Sequence, residues 1–376
     1  MPWSTTTVSE LRTAFVHAVR TANRPVVQAA RDFGISRPTA YKWLARYDAR
    51  EPLADRSRKP AHSPTRTAEG LEAAVLAVRD RYGWGPRKIV AYLKNQNRPT
   101  PPVRTAAAIL RRHHRVAPTP TPGPTDCQRF ERPEPNQLWQ LDFKGFVEID
   151  RRRIYPLTIL DDHSRFLLAL ACGTDQTYAT AWAVLWAAFG EYGLPEQLLC
   201  DNAFGTHGRP APGLSWFEAR LLRLGVRPIH GRPYHPQTQG KIERLHGTLE
   251  AEVFPRLPHD RLDAFQAGLD HWRQCVYNAI RPHEALGDAP PLTRWRPSPR
   301  SRPATLPAVE YPSGVVLRKV AATGDIRWHS ARILAGQGLV GEYVRVEEAD
   351  GCVTLWYGTH RIRQVPLDRL RDKGLL

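Results

Sequence analysis

Between residues 25 and 48, small and apolar side chains recur at helical spacing. Val26, Ala29, Ala30 and Phe33 come first, then Ala40, Trp43 and Leu44, with Gly34 and Ser36 between the two sets. A period near 3.6 predicts two helices. Glycine can take the left-handed conformation of the turn, and serine can accept a hydrogen bond from the open amides of the second helix. The pattern is that of a helix-turn-helix. Its second helix carries Arg37, Thr39 and Lys42 outward, where cationic and hydroxyl groups can meet phosphates or base edges in a major groove.

The motif recurs further on. Residues 71–97 predict a helix, a Gly-Trp-Gly-Pro turn and a second helix whose buried side is Ile89, Val90 and Leu93. A third helix follows at 103–113. Arg87, Lys88 and Arg104 are its expected phosphate contacts. Two polar stretches punctuate this half: the run 53–67, basic and proline-bearing, and the Pro/Thr-rich run 116–135.

The pattern then changes from helical to alternating. Trp139, Leu141 and Phe143 face one way while Gln140, Asp142 and Lys144 face the other, which predicts a strand with a carboxylate on its polar side. Residues 153–173 predict two strands joined at Asp161-Asp162-His163-Ser164. A helix at 177–192, a strand ending at Cys200, a helix at 215–225, a strand at 226–230 and a helix from Gly240 to Phe254 complete a mixed α/β layer arrangement. Beyond Val309, short alternating strands and an Asp350-Gly351 turn suggest a small β-barrel.

Charge adds a partner. The chain has 376 residues and a formal net charge of +17, and residues 1–125 hold 22 Lys and Arg against 8 Asp and Glu. A surface so positive attracts polyanions, and neutralising phosphates releases condensed counterions, so nucleic acid is the expected partner and an acidic membrane the weaker alternative; the helix-turn-helix pattern favours double-stranded DNA. With 41% hydrophobic residues the chain has material for real cores, which excludes a wholly disordered protein. No run approaches 18 apolar residues, and the start, MPWSTTTVSELRTAF, lacks the pattern of a secretion signal, so a cytoplasmic, nucleoid-associated protein is expected. Five scattered cysteines without a Cys-x-x-Cys pair argue against a disulfide framework.

Three acids stand where such a sheet gathers ligands: Asp142 in a strand, Asp201 just past a strand end, and Glu243 early in a helix. Converging carboxylates repel one another and DNA unless divalent cations intervene. Oxygen ligands suit Mg²⁺ or Mn²⁺, and two such ions about 4 Å apart stabilise the attacking and leaving oxygens of a phosphoryl displacement. On spacing alone the trio competes with the ordinary case, an acid that is solvated or paired with a base, to which Asp161, Asp162 and Glu250 are assigned.

Longer motifs decide between these readings. The run RPYHPQTQGKIERLHGTL from Arg232 to Leu249, LWQLDFKG from Leu138 and CDNAFG from Cys200 closely resemble the integrase catalytic core of bacterial insertion-sequence transposases, in the retroviral-integrase-like superfamily. The two helix-turn-helix units, the DRSRKP linker from Asp55 and the stretch Tyr277–Trp295 resemble the same group, so the likeness covers about residues 1–300. It implies a core of ribonuclease-H-like fold in which Asp142, Asp201 and Glu243 hold two Mg²⁺ or Mn²⁺ ions when DNA is bound. It also implies that Asn202, His235, Gln239, Lys241 and Arg244 lie around them as supporting or DNA-contacting groups. The chain departs from its relatives in an apparent insertion at 208–213, and in Glu250, where similar proteins carry Lys or Arg two turns after the glutamate.

The expected organisation is a first helix-turn-helix at 1–52, a basic linker at 53–68, a second helix-turn-helix at 69–115 and a Pro/Thr linker at 116–134. The integrase core follows at 135–300 and the β-barrel at 305–376. The expected function is a DNA transposase that binds element ends, cleaves them to a 3′-hydroxyl and joins that hydroxyl to target DNA, acting as a homo-oligomer on DNA. Two rivals are a DNA-binding regulator impaired in catalysis and a nuclease acting on RNA–DNA hybrids.

Overall fold

Helix α1 (Val8–Arg20) starts where Thr7 and Glu10 cap each other's backbone reciprocally, and α2 (Val26–Asp32) and α3 (Arg37–Asp48) follow. In this computed structural model, which describes residues 7–56, 67–115, 131–200, 213–230 and 240–373, the chain divides into two compact units, 1–66 and 67–376. In the first unit Gly34 takes φ +63°, and the Ser36 hydroxyl accepts from the Thr39 amide at 3.4 Å, so the turn and the cap form as their residue types dictate. Helix α1 adds Phe15, Val16 and Val19 to a core with Ala29, Ala30, Ala40, Trp43 and Leu44. Two short helices cannot close such a core alone, and the third supplies the missing wall.

The second unit opens with α4 (Glu69–Tyr82), α5 (Pro86–Asn95) and α6 (Val103–Arg112). Gly83 ends α4 at φ +75°, and Pro86 starts α5 at a position that needs no amide donor. Trp84 between them is buried against Ile89, Leu93, Ile109 and Leu110, with Val276 and Ile280 of the later chain packed on the same cluster.

The central sheet is mixed. Strands β1 (Trp139–Phe143), β2 (Val147–Ile149), β3 (Arg152–Asp161) and β4 (Leu167–Gly173) form its antiparallel part, with β3 between β1 and β4. Strands β5 (Gln197–Cys200) and β6 (Arg227–His230) extend it in parallel beyond β1. The strand order is β2-β3-β1-β5-β6, and β2, which the sequence pattern did not single out, pairs with the start of β3.

Both faces of the sheet are covered by helices. Trp139, Leu141, Leu157 and Ile159 pack on α7 (Tyr178–Tyr192) and α8 (Trp216–Arg223). Leu160, Leu167 and Leu170 pack on the other side against α9 (Gly240–Thr248) with its π-helical continuation Leu249–Val253, and against α10 (Leu262–His271). Ile242, Leu245, Leu249 and Val253 recur at helical spacing and are buried as a set.

The C-terminal part is not a closed barrel. Strands β7 (Val316–Lys319), β10 (Tyr343–Ala349), β11 (Cys352–Tyr357) and β12 (His360–Pro366) form one antiparallel sheet in the order β12-β11-β10-β7. Strands β8 (Asp325–Trp328) and β9 (Ala331–Leu334) form a separate hairpin, and α11 (Leu367–Lys373) follows β12. The two sheets bury a common core that includes Ile333, Val344, Val353 and Leu355 without joining edge to edge. The Asp350-Gly351 turn forms as expected, with φ of +50° and +71°.

Candidate active site

Asp142 lies on β1 directly opposite Thr158 of β3, on the face covered by α9. Alternation places Trp139 and Leu141 on the other face, in the α7 core. The polar face of β1 is itself largely shut off from water: Gln140 is buried and donates to Asp162 Oδ1 at 2.7 Å, while Asp142 is half-buried.

Thr158 is fully buried, and its hydroxyl lies 3.0 Å from the Asp142 carbonyl oxygen and 2.8 Å from His246 Nε2. A hydroxyl has one proton, so donation to the carbonyl leaves Thr158 to accept from the Nε2–H of His246. The other ring nitrogen, Nδ1, is 3.9 Å from Asp142 Oδ2. Burial pushes the His246 imidazole down to about 4, and Lys144 acts in the same direction while Glu250 opposes it. The ring is neutral at pH 7.

Glu243 is exposed on α9, three residues before His246 and therefore on an adjacent part of the same helix surface. Arg244 beside it is also exposed. Lys241 is half-buried and bound to Asp162, donating to both its carboxylate and, at 3.2 Å, its carbonyl oxygen. Burial lowers its pKa, with the hydrogen bond to Asp162 opposing that shift. Asp162 also accepts from the Arg132 amide at 2.7 Å. Asp161 next to it accepts from the Asn136 amide and from both the amide and hydroxyl of Ser164. These two acids are thus buried and hydrogen-bonded at the β3–β4 turn, and Glu250 pairs with Lys144 at 2.6 Å.

Asp201, Asn202, His235 and Gln239 lie outside the described residues. The chain reaches Asp201 directly from β5, whose Leu198 and Leu199 pair in parallel with Trp139 and Gln140 of β1. Among the described residues no group of three or more His, Cys, Asp or Glu side chains is arranged as a metal cage.

The expected DNA contacts divide by location. Arg37 and Lys42 are exposed on α3, whereas Thr39 is half-buried and shares a hydrogen bond with Ser36. Arg104 is exposed at the start of α6. On α5, Arg87 instead pairs with Glu284 at 2.7 Å and with Asp288 at 3.3 Å, and Lys88 lies 3.5 Å from Glu252. Helix α5 is held against the segment that follows the sheet, where Arg281 is buried and bound to Glu252.

Sequence reasoning missed His246, Thr158 and Lys144. His246 offered one signal: it is a polar residue beside the apolar stripe of α9, at a position the sheet covers. Thr158, inside an apolar strand, offered none, because threonine is common in strands.

The integrase core domain family matches residues 132–236, and a second integrase core family matches 224–291. Ahead of them, a helix-turn-helix domain matches 12–61 and a homeodomain-like domain 39–110. The Gag-Pro-Pol polyprotein of Mason-Pfizer monkey virus is 32% identical over 119 residues, covering 32% of this chain and 6% of that protein. The insertion element IS476 uncharacterized 39.2 kDa protein of Xanthomonas euvesicatoria is 27% identical over 157 residues, covering 42% of this chain and 43% of that one. The alignments thus span less than half the length of these relatives.

Among solved structures, the simian T-cell lymphotropic virus intasome, in complex with a PP2A regulatory subunit, aligns over 78% of this chain and 96% of its own at 18% identity, with a TM-score of 0.37. The integrase catalytic core of HTLV-2, in complex with magnesium, aligns over 43% of this chain and 97% of its own at 17% identity, with a TM-score of 0.31. No helix of the described residues is long and apolar enough to cross a membrane. Residues 132–291 thus match integrase core domains, and they follow segments that match helix-turn-helix and homeodomain-like domains.

Proposed function

We propose that the protein is a DNA transposase that cleaves the ends of an insertion sequence and transfers the freed 3′-hydroxyls to target DNA. The observation that carries this reading is the packing of α9 on β1 within an integrase core, which sets the helix of Glu243 against the strand of Asp142. Asp142, Asp201 and Glu243 are the residues that would hold two divalent ions, Mg²⁺ or Mn²⁺. Their oxygen donors suit a hard cation. The surroundings suit one too: Lys144 is engaged by Glu250, Lys241 by Asp162, and the imidazole facing Asp142 is kept neutral by burial. Bound ions would stabilise the attacking and leaving oxygens of an in-line displacement.

The rest is positioning. The exposed Arg37 and Lys42 of α3 and Arg104 of α6 meet the duplex, with phosphate contacts setting register and base edges setting sequence. Arg244, exposed next to Glu243, faces the substrate backbone, and Asn202, His235 and Gln239 support the carboxylates. The 3′-hydroxyl released at one element end attacks a target phosphodiester directly, so no covalent protein–DNA intermediate is needed. Pairing two ends requires at least two copies of the chain on DNA.

The test is incubation of the purified protein with Mn²⁺ and labelled DNA carrying the repeats that flank its coding region. Asp142→Asn is expected to abolish cleavage while leaving binding of that DNA nearly unchanged. Cleavage by the variant at the rate of the parent overturns the mechanism. Preferential cutting of an RNA–DNA hybrid supports a nuclease instead, and binding without cleavage by the parent supports a regulator.

A further inference from the structure

Two polar side chains occupy places where apolar ones would pack as well. Thr158 sits between Leu157 and Ile159 in the middle of β3, fully buried, where valine has the same shape. His246 follows Leu245 on the covered side of α9 and is 7% exposed. Burying a hydroxyl and an imidazole costs free energy unless each finds a partner. Here each satisfies the other, and the series ends on Asp142: His246 Nε2–H to Thr158 Oγ1 at 2.8 Å, and Thr158 O–H to the Asp142 carbonyl oxygen at 3.0 Å.

The series links three elements, the helix one turn beyond Glu243, the central strand β3, and the strand of Asp142 itself. Apolar packing alone lets a helix slide and rotate over a sheet by fractions of an ångström. Two directional hydrogen bonds restrict that freedom, and reacting groups are sensitive to displacements of about 1 Å. We propose that His246 and Thr158 form a positioning relay that fixes the spacing between the Asp142 and Glu243 carboxylates. The proposal rests on the reading of these two acids as ligands of a divalent ion. His246 and Thr158 are positioning residues: their linked polar atoms act through the backbone of Asp142 and the helix of Glu243.

The test uses the full chain and MnCl₂ alone, with Mn²⁺ affinity read by electron paramagnetic resonance of the free ion and folding followed by thermal melting. His246→Ala and Thr158→Val are each expected to weaken Mn²⁺ binding roughly tenfold, in the range seen when a supporting partner of a metal ligand is lost. The double variant is expected to be no weaker than the worse single one, because both cut one series. His246→Gln, whose amide nitrogen can reach the place of Nε2, is expected to restore most of the affinity.

Additive losses, unchanged Mn²⁺ affinity in a folded His246→Ala protein, or failure of glutamine to recover what alanine loses would each overturn the relay. Should the alanine variant not fold, the comparison of Thr158→Val with His246→Gln decides: weakened binding in the first and parent-like binding in the second supports the relay, and any other pairing overturns it. Asp142→Asn separates the two levels. If that substitution leaves Mn²⁺ affinity unchanged, the metal reading of Asp142 itself fails; if it weakens binding while His246→Ala and Thr158→Val do not, only the relay fails.

Discussion

Lys144 Nζ lies 2.6 Å from Glu250 Oε1, tying the residue just past β1 to the π-helical turn that follows α9. The pair leaves the local charge balanced. Because the Glu250 side chain is 59% exposed, the pair contributes about 1 kcal/mol of stability at most. Glu250→Ala should therefore melt close to the parent while releasing Lys144 to a phosphate. Binding of DNA ends measured at several salt concentrations should show a log–log slope steeper by about 1. An unchanged slope means that Lys144 does not reach DNA.

The ion pairs of α5 predict a division of labour between the two basic helices of the second helix-turn-helix. Arg87 is engaged by Glu284 and Asp288, whereas Arg104 is exposed on α6. Arg104→Ala should reduce the salt slope of DNA binding by about 1, and Arg87→Ala should leave it unaltered. Equal effects would show that α5 leaves its acidic partners when DNA binds.

Lys241 and Asp162 form a pair in which the carboxylate is fully buried. Lys241→Met strands that charge, and removing one partner of a buried pair costs roughly 3 kcal/mol. Denaturant titration should show the loss. Asp162→Asn added to Lys241→Met should recover part of it, because the neutral amide no longer needs a cation. A Lys241→Met protein as stable as the parent would show that Gln140 and the Arg132 amide suffice to hold Asp162.

Acid should destabilise the protein through two histidines. Burial pushes His246 down to about 4 and His283 down to about 3, from an ordinary value of 6.5. The unfolded chain therefore binds protons that the folded one excludes, so their contribution is complete above pH 6.5 and is lost progressively as pH falls from 6.5 toward 4 for His246 and toward 3 for His283. For His246 the loss is at most about 3 kcal/mol. His246→Gln should flatten the stability profile across that window, leaving the part due to His283. A profile as steep as the parent's would show that His246 is protonated in the native state.

Local chemistry made much of this protein readable in one dimension. Ser36 and Gly34 mark the turn between α2 and α3, Asp350-Gly351 takes the two positive φ angles of its hairpin, and the alternation from Trp139 to Phe143 gives a strand. The spacing of Ile242, Leu245, Leu249 and Val253 gives the buried side of α9 and its extension. Each of these depends on residues within a few positions of one another, because caps, turns and periodic faces are short-range properties.

What the linear order did not contain are the meetings between distant elements. Thr158 and His246 touch because α9 lies on the face of the sheet opposite α7, and neither residue's neighbours reveal it. The same holds for Arg87 against Glu284, for Lys144 against Glu250, and for the C-terminal strands, whose alternation is equally compatible with a closed barrel and with the separate sheets observed. Periodicity tells which side of an element is buried. Only packing decides what that side is buried against, because the apolar contacts that choose the partner carry no direction and the hydrogen bonds and ion pairs that do form only after the elements have met.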